Sequence, residues 1–276
     1  MKILKIYNNN IVLAAEGKAE MIVTGSGIGF SKTPGAPLDT SKIEKIYRFE
    51  DSQRKQLHQL LDRVPVLYFK IAGTIAAKAS KDLNIQLSNQ ILISLSDHIY
   101  FAVERAKQHT NIPNFMLNEI KALYEAQYRI GLWALQLIKA NTGIAMDEHE
   151  AGYIAVHIAN ATIGGGGENS SVNKILHFIK EAQRIVEAEY HVTLDHNDLS
   201  TSRFVTHLKF LGQRFYKGQE RTIDDLSDLY DYFVGLDDKL EFCVNQISVY
   251  VKLVFNYDLE QCEKVYLMLH INKVVH

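Results

Sequence analysis

The sequence predicts a multi-domain protein: a small all-β N-terminal domain, built as a dimeric four-stranded antiparallel sheet, followed by two homologous all-α domains. Three observations predict it. The first 50 residues carry short β-branched runs separated by turn residues, the rest carries long runs of helical periodicity, and two segments of the helical part repeat each other. A length of 276 residues suits two or three domains, and 47% hydrophobic residues are enough to build cores, which excludes global disorder.

The β part begins with runs at residues 3–7, 11–15 and 21–24, punctuated by Asn8-Asn9-Asn10, Glu16-Gly17-Lys18 and Gly25-Ser26-Gly27. Asparagine bonds its own main chain and tolerates left-handed backbone, so the Asn-rich turn suits a hairpin. A fourth strand is expected over 28–32, ending at the Pro34-Gly35-Ala36-Pro37 turn. Four short strands cannot bury two faces alone, so dimerisation is expected.

Helical periodicity starts with Leu57, Leu60, Leu61 and Val64, at i, i+3, i+4 and i+7. It continues through 66–81, 88–107, 113–140, 147–160, 171–189, 197–217, 222–255 and 258–274. All four prolines lie before residue 114, so no missing N–H interrupts the later helices. The run from Ile163 to Ser171, with four consecutive glycines, reads as a flexible linker. On its two sides the motifs match. His98-Ile-x-Phe with Arg105 seven residues on corresponds to His207-Leu-x-Phe with Arg214, and Glu150-x-x-Tyr153 with His157 corresponds to Glu263-x-x-Tyr266 with His270. The offsets between copies are 109 and 113 residues. The expected domains are therefore 1–55, 56–168 and 169–276.

Charge is divided unevenly. Residues 1–60 sum to +3 and the remainder to −5, within a net charge of −2, so a polyanion partner is compatible with the head. Two cysteines, Cys243 and Cys262, do not make a disulfide framework and point to a reducing, cytoplasmic setting. No apolar run approaches the about 18 residues of a membrane span, and the N-terminus lacks the pattern of a secretory signal, so no membrane insertion is expected. The glycines of Gly25-Ser-Gly-Ile-Gly-Phe30 fit neither a dinucleotide fingerprint nor a phosphate-binding loop, because the third glycine is displaced and no Gly-Lys-Ser/Thr follows.

Eleven histidines raise the question of metal, but neither H-E-x-x-H nor C-x-x-C occurs, and no metal or cofactor is expected. Asn197 or Asp198 is placed to cap the helix that follows. The four matched histidines, His98, His157, His207 and His270, stand among apolar neighbours, and an imidazole nitrogen accepts a phosphoryl group. The acids Asp97 and Glu150 stand either as groups that orient an imidazole or as solvated helix surface. An enzyme reading, a helical His-dependent metal phosphohydrolase with a small β extension, is the alternative.

The motifs together resemble a known family, the BglG/SacY/LicT-type transcriptional antiterminators. The resemblance covers essentially the whole chain and rests on Lys5-x-x-Asn-Asn-Asn10, Gly25-Ser-Gly-Ile-Gly-Phe30, Leu95-Ser-Asp-His98-Ile, Glu150 to Ala161, Arg203-Phe-Val-Thr-His207-Leu-Lys-Phe and Tyr266-Leu-Met-Leu-His270-Ile. It implies a co-antiterminator RNA-binding domain and two regulation domains of the sugar phosphotransferase system, and a protein that is not an enzyme. The implied partner of the head is a hairpin in an mRNA leader, contacted by Lys5, Asn8, Asn10, Gly25, Ser26 and Phe30. At Ser26 relatives commonly carry Arg or Lys, so the resemblance implies one cationic phosphate contact fewer here. The implied phosphoacceptors are His98 and His157, modified by a sugar-specific enzyme II permease to switch the protein off, and His207 and His270, modified by HPr to switch it on.

Overall fold

A computed structural model describes residues 1–17, 19–48, 59–60, 62–162, 171–195, 198–217 and 226–276. Residues 163–170 of the linker expected from its glycines, and most of the first helical run around Leu57 and Leu61, lie outside the described residues.

Strands β1 (Lys2–Asn8), β2 (Ile11–Glu16), β3 (Ala19–Thr24) and β4 (Lys45–Arg48) form one antiparallel sheet in sequence order. Alternation assigns its two faces. Ile3, Val12, Ala14, Met21 and Val23 join Ile28 and Leu38 in one apolar cluster. Leu13, Ile22 and Tyr47, on cross-strand partners, are buried on the other face. The free edge of β1 is covered by the Pro34–Pro37 turn: the Ile3 N–H donates to the Ala36 carbonyl at 2.9 Å and the Gly35 N–H to the Ile3 carbonyl at 2.7 Å.

The fourth strand is not where the apolar run at 28–32 places it. Residues 25–32 fold into successive turns, with N–H groups of Ile28, Phe30 and Lys32 donating to the carbonyls three residues before them. Gly27 and Ser31 take left-handed φ of 65° and 54°, which a ladder does not accommodate. Ile28, fully buried, is the plug of this loop rather than a strand residue.

Contacts divide the chain into two units, Met1–Asn114 with Ala126–Gly167, and Phe115–Glu125 with Glu168–His276. The first unit holds the sheet with α1 (Val66–Asp82), α2 (Gln90–Lys107), α4 (Glu125–Thr142) and α5 (Glu148–Asn160). Helix α1 packs along α2, and α2 on α5. Asp147 caps α5 by accepting from the His149 N–H at 3.0 Å. Helix α4 approaches α5 very closely: a Cβ on Gly131 would stand 2.3 Å from the Ala151 carbonyl oxygen.

The second unit holds α3 (Leu117–Leu123), α6 (Ser171–Tyr190), α7 (Leu199–Lys217), α8 (Ser227–Leu236), α9 (Asp238–Phe255) and α10 (Gln261–Val275). Asp198 caps α7, accepting from the N–H groups of Ser200 and Thr201 at 2.8 and 3.1 Å. Helix α3, although early in the chain, docks on α7. Lys209 donates from α7 to the Leu123 carbonyl at 2.6 Å and lies 4.4 Å from the centre of the Tyr124 ring. Proline scarcity does not give unbroken helices. The 113–140 run divides at Tyr124 (φ −132°, ψ 39°), and the 222–255 run at Asp237, whose side chain accepts from the Lys239 N–H to start α9.

Candidate functional site

The repeated motifs fold into the same constellation in each unit. His98 and Arg105 lie two turns apart on α2, and Glu150, Tyr153 and His157 follow one face of the facing helix α5. The His98 and His157 ring centres are 4.9 Å apart, and Tyr153 lies 5.7 Å from His98. In the second unit His207 and Arg214 lie on α7, and Glu263, Tyr266 and His270 on α10. The His207–His270 rings stack at 4.6 Å, with Tyr266 at 6.3 Å.

The acids anchor both pairs. Glu150 is buried and receives the Arg105 guanidinium at 2.9 Å on one oxygen, while His98 Nε2 stands 3.0 Å from the other. At that distance the His98 contact does not meet hydrogen-bond geometry, so the two groups lie side by side. Burial alone would raise the Glu150 carboxyl, but the His98 ring and the Arg105 guanidinium outweigh it and hold the group below its ordinary value. Glu263 is buried too, with Arg214 at 3.4 Å and the Tyr257 hydroxyl donating at 3.4 Å. Its carboxylate also accepts from the Glu260 N–H at 3.1 Å, within the capping box that starts α10. The two acids weighed in the sequence therefore have different roles: Glu150 orients the pair, whereas exposed Asp97 binds Arg63 at 2.6 Å.

Burial, and then the charge of His98, push the His157 imidazole down to about 3. Burial, followed by Lys273 and Arg203, lowers His270. A neutral imidazole keeps a nitrogen lone pair near pH 7, which is what nucleophilic acceptance of a phosphoryl group requires. The linkage has one sign. His157 binds a proton less readily folded than unfolded, so its contribution to stability is complete above about 6.5 and is lost as pH falls towards about 3. Lowering the pH from 7.5 to 5.0 is expected to cost about 1–2 kcal/mol through this group. His157→Gln flattens the pH dependence of the urea midpoint. An unchanged slope in that variant would show that another group carries it.

The head residues divide into a cluster and an outlier. The Gly25 N–H donates to the Asn10 carbonyl at 3.0 Å, the Gly29 N–H to the Asn9 carbonyl at 2.9 Å, and the Gly27 N–H to Asn10 Oδ1 at 2.9 Å. The Ser26 N–H donates to Glu44 Oε1 at 3.1 Å. Asn10 thus holds the 25–30 loop from beneath while Phe30 projects, 62% exposed. Gly25 serves a close approach inside the domain, since a Cβ there would stand 1.7 Å from the Lys42 carbonyl oxygen. Lys5 pairs with Asp62 and lies 5.2 Å from the centre of the Tyr7 ring. Asn8 ends β1 opposite Ile11, and its side chain lies outside the described residues.

The CAT RNA binding domain family matches residues 1–56, and the PRD domain family matches 74–161 and 180–274. The chain belongs to the CAT–PRD antiterminator family. It is 35% identical to a beta-glucoside operon antiterminator of Dickeya chrysanthemi, over 99% of this chain and 96% of the relative. It is 34% identical to the transcription antiterminator LicT of Bacillus subtilis, over 100% and 99%. The crystal structure of GlcT CAT-PRDI superposes with a TM-score of 0.53 at 31% identity, covering 59% of this chain and 98% of that one. Members of this family are RNA-binding transcription antiterminators and not enzymes, so the phosphohydrolase alternative falls. Among the described residues no three His, Cys, Asp or Glu side chains converge as a metal site, and no helix is long and apolar enough to cross a membrane.

Beside the four histidines the fold gathers Arg105, Arg214, Glu263, Tyr153 and Tyr266, to which the sequence alone assigns no role. The signal was present in the repeat, which preserves all of them at fixed spacing from the histidines.

Proposed function

We propose that this chain binds a hairpin in an mRNA leader and stabilises it against a downstream terminator, so that a sugar-utilisation operon is transcribed. The observation that carries the regulatory half is the twofold recurrence of a close histidine pair held by a buried Glu–Arg contact. In this reading the domains are 1–55, 56–168 and 169–276, and the cytoplasmic protein acts as a homodimer through its small sheet. The phosphoacceptors are His98 and His157, served by a sugar-specific enzyme II permease, and His207 and His270, served by HPr.

The RNA contacts are Lys5, Asn8, Asn10, Gly25, Ser26 and Phe30. Exposed Phe30 supplies a stacking surface for an unpaired base, the usual mode of sequence-specific RNA recognition. Lys5 offers a cation to phosphate. Asn10 contributes by holding the loop that presents Phe30.

A gel shift with the leader hairpin upstream of the protein's own operon tests the reading. Phe30→Ala is expected to weaken binding about tenfold or more, from lost stacking, with no change in thermal midpoint. Asn10→Ala is expected to weaken binding and also to destabilise the head by about 1–2 kcal/mol, because the Gly27 N–H loses its acceptor. Failure of the dimeric wild-type protein to bind the hairpin would remove the proposal.

A further inference from the structure

The two histidine pairs differ in the charges that flank them. Arg203 lies one turn before His207 on α7, and Lys273 lies three residues after His270 on α10. Those spacings place each cation on the same helix face as its histidine. Both side chains belong to exposed residues, and neither has an ion-pair partner among the described residues. Their proximity to the pair is independently evident in the lowered pKa of His270, to which both contribute after burial.

The first repeat lacks this arrangement. With the offsets of 109 and 113 residues, Arg203 corresponds to Ser94 and Lys273 to Asn160, both neutral. His98 has the Glu150 carboxylate 3.0 Å from Nε2, and Glu263 holds the matching position in the second repeat, so the two added cations are what distinguish the pairs. A phosphoryl group carries roughly −1.5 to −2 charge at neutral pH. On the second pair that charge finds two uncommitted cations. On the first it meets the Glu150 carboxylate with no such added cations, and among the described residues the Arg105 guanidinium on that carboxylate is the one holding α2 to α5.

We propose that Arg203 and Lys273 form a phosphoryl clamp over the His207–His270 pair, and that its absence from the first repeat makes the same modification disruptive there. The inference rests on the phosphoacceptor reading above. The step itself is balanced: a neutral imidazole lone pair attacks phosphorus, and the N–P bond of the donor's phosphohistidine breaks with its electron pair returning to the donor ring. The acceptor ring releases its N–H proton as the new N–P bond forms and the donor ring takes one up as it leaves, so the two rings together gain and lose none. The clamp then closes two charge-assisted contacts across α7 and α10. In the first repeat a modified His98 repels Glu150 and loosens the Arg105–Glu150 contact between α2 and α5.

The full chain, phosphorylated with phospho-HPr and then separated from it, tests the clamp. Phosphohistidine occupancy and lifetime are read separately in each repeat by peptide mass spectrometry at alkaline pH. Arg203→Gln/Lys273→Gln is expected to lower occupancy or lifetime at His207 and His270 about fivefold. The first repeat of the same chain should be unaffected, and the reciprocal Arg203→Lys/Lys273→Arg should retain most of the effect. Ser94→Arg/Asn160→Lys is expected to lengthen the phosphohistidine lifetime in the first repeat after exposure to its permease donor. Unchanged RNA binding and thermal midpoint of the unmodified variants confirm that the fold is intact. Wild-type phosphorylation with no loss in the double Gln variant overturns the clamp alone. No phosphorylation of the wild-type second repeat overturns the acceptor reading there and the clamp with it.

Discussion

Alanine at position 25 is expected to dismantle the RNA-binding loop and, with it, most of the affinity for the leader hairpin. A Cβ at Gly25 would lie 1.7 Å from the Lys42 carbonyl oxygen and 2.9 Å from its carbon, so the obstacle is main chain and no rotamer change relieves it. Every way of making room costs contacts. Moving residues 40–42 outward pulls on Glu44, whose N–H donates to the Thr24 carbonyl at 2.8 Å and whose carboxylate holds the Ser26 N–H. Moving residue 25 inward strains its bond to the Asn10 carbonyl and the turn to fully buried Ile28, whose N–H donates to the Gly25 carbonyl at 3.2 Å. The expected loss is about 3 kcal/mol or more, a size that failed packing or backbone geometry reaches. A suitable comparison is Gly17→Ala. Gly17 has φ 63° but nothing within 4 Å of an added Cβ, so only the left-handed conformation opposes it, at about 1 kcal/mol. Thermal unfolding and hairpin gel shifts on the two variants separate the cases. A Gly25→Ala protein with a wild-type midpoint and affinity within twofold would show that the loop yields where the packing says it should not.

Gly25 also illustrates how far the sequence could be read. The resemblance makes Gly25 an RNA contact, whereas its close approach inside the domain, to Lys42 17 residues away across a turn whose path is set by tertiary contacts, is not legible locally. The same limit explains the fourth strand. The apolar content of 28–32 resembles a strand locally, yet the β3 edge pairs with residues 45–48, and Ile28 is more useful as a plug beneath the loop. Sequence repeats were more informative than local propensity. Comparing two copies of one motif separated His, Arg, Glu and Tyr from background, and those side chains do converge in both units. The division of labour between Asp97 and Glu150 was not legible, since it depends on which α2 face meets α5. Nor was the docking of α3 on α7, which joins residues about 85 apart through Lys209 and Leu123.

Removing the Glu150 carboxylate is the second change with a large expected effect. The side chain is 9% exposed and Arg105 only 26%, so truncation to alanine leaves a largely buried guanidinium without its counter-ion and a cavity between α2 and α5. Breaking such a pair from one side typically costs about 3–5 kcal/mol, because the remaining charge cannot regain its water shell. For a unit of this size that corresponds to a fall of about 6–15 °C in the unfolding midpoint. Replacing both partners, Arg105→Leu/Glu150→Leu, is expected to restore much of the loss, since neither charge is then stranded. The single and double variants thus separate the worth of the pair from the cost of leaving it half-made. The pair also holds His98 against His157, so Glu150→Ala should lower phosphoryl uptake by His98 under conditions where the protein remains folded. In the double Leu variant, stability should recover while uptake stays low, because the fold no longer needs the carboxylate and the imidazole still does. Recovery of both together would make Glu150 a packing residue only, whereas recovery of stability alone would identify it as the group that positions the acceptor.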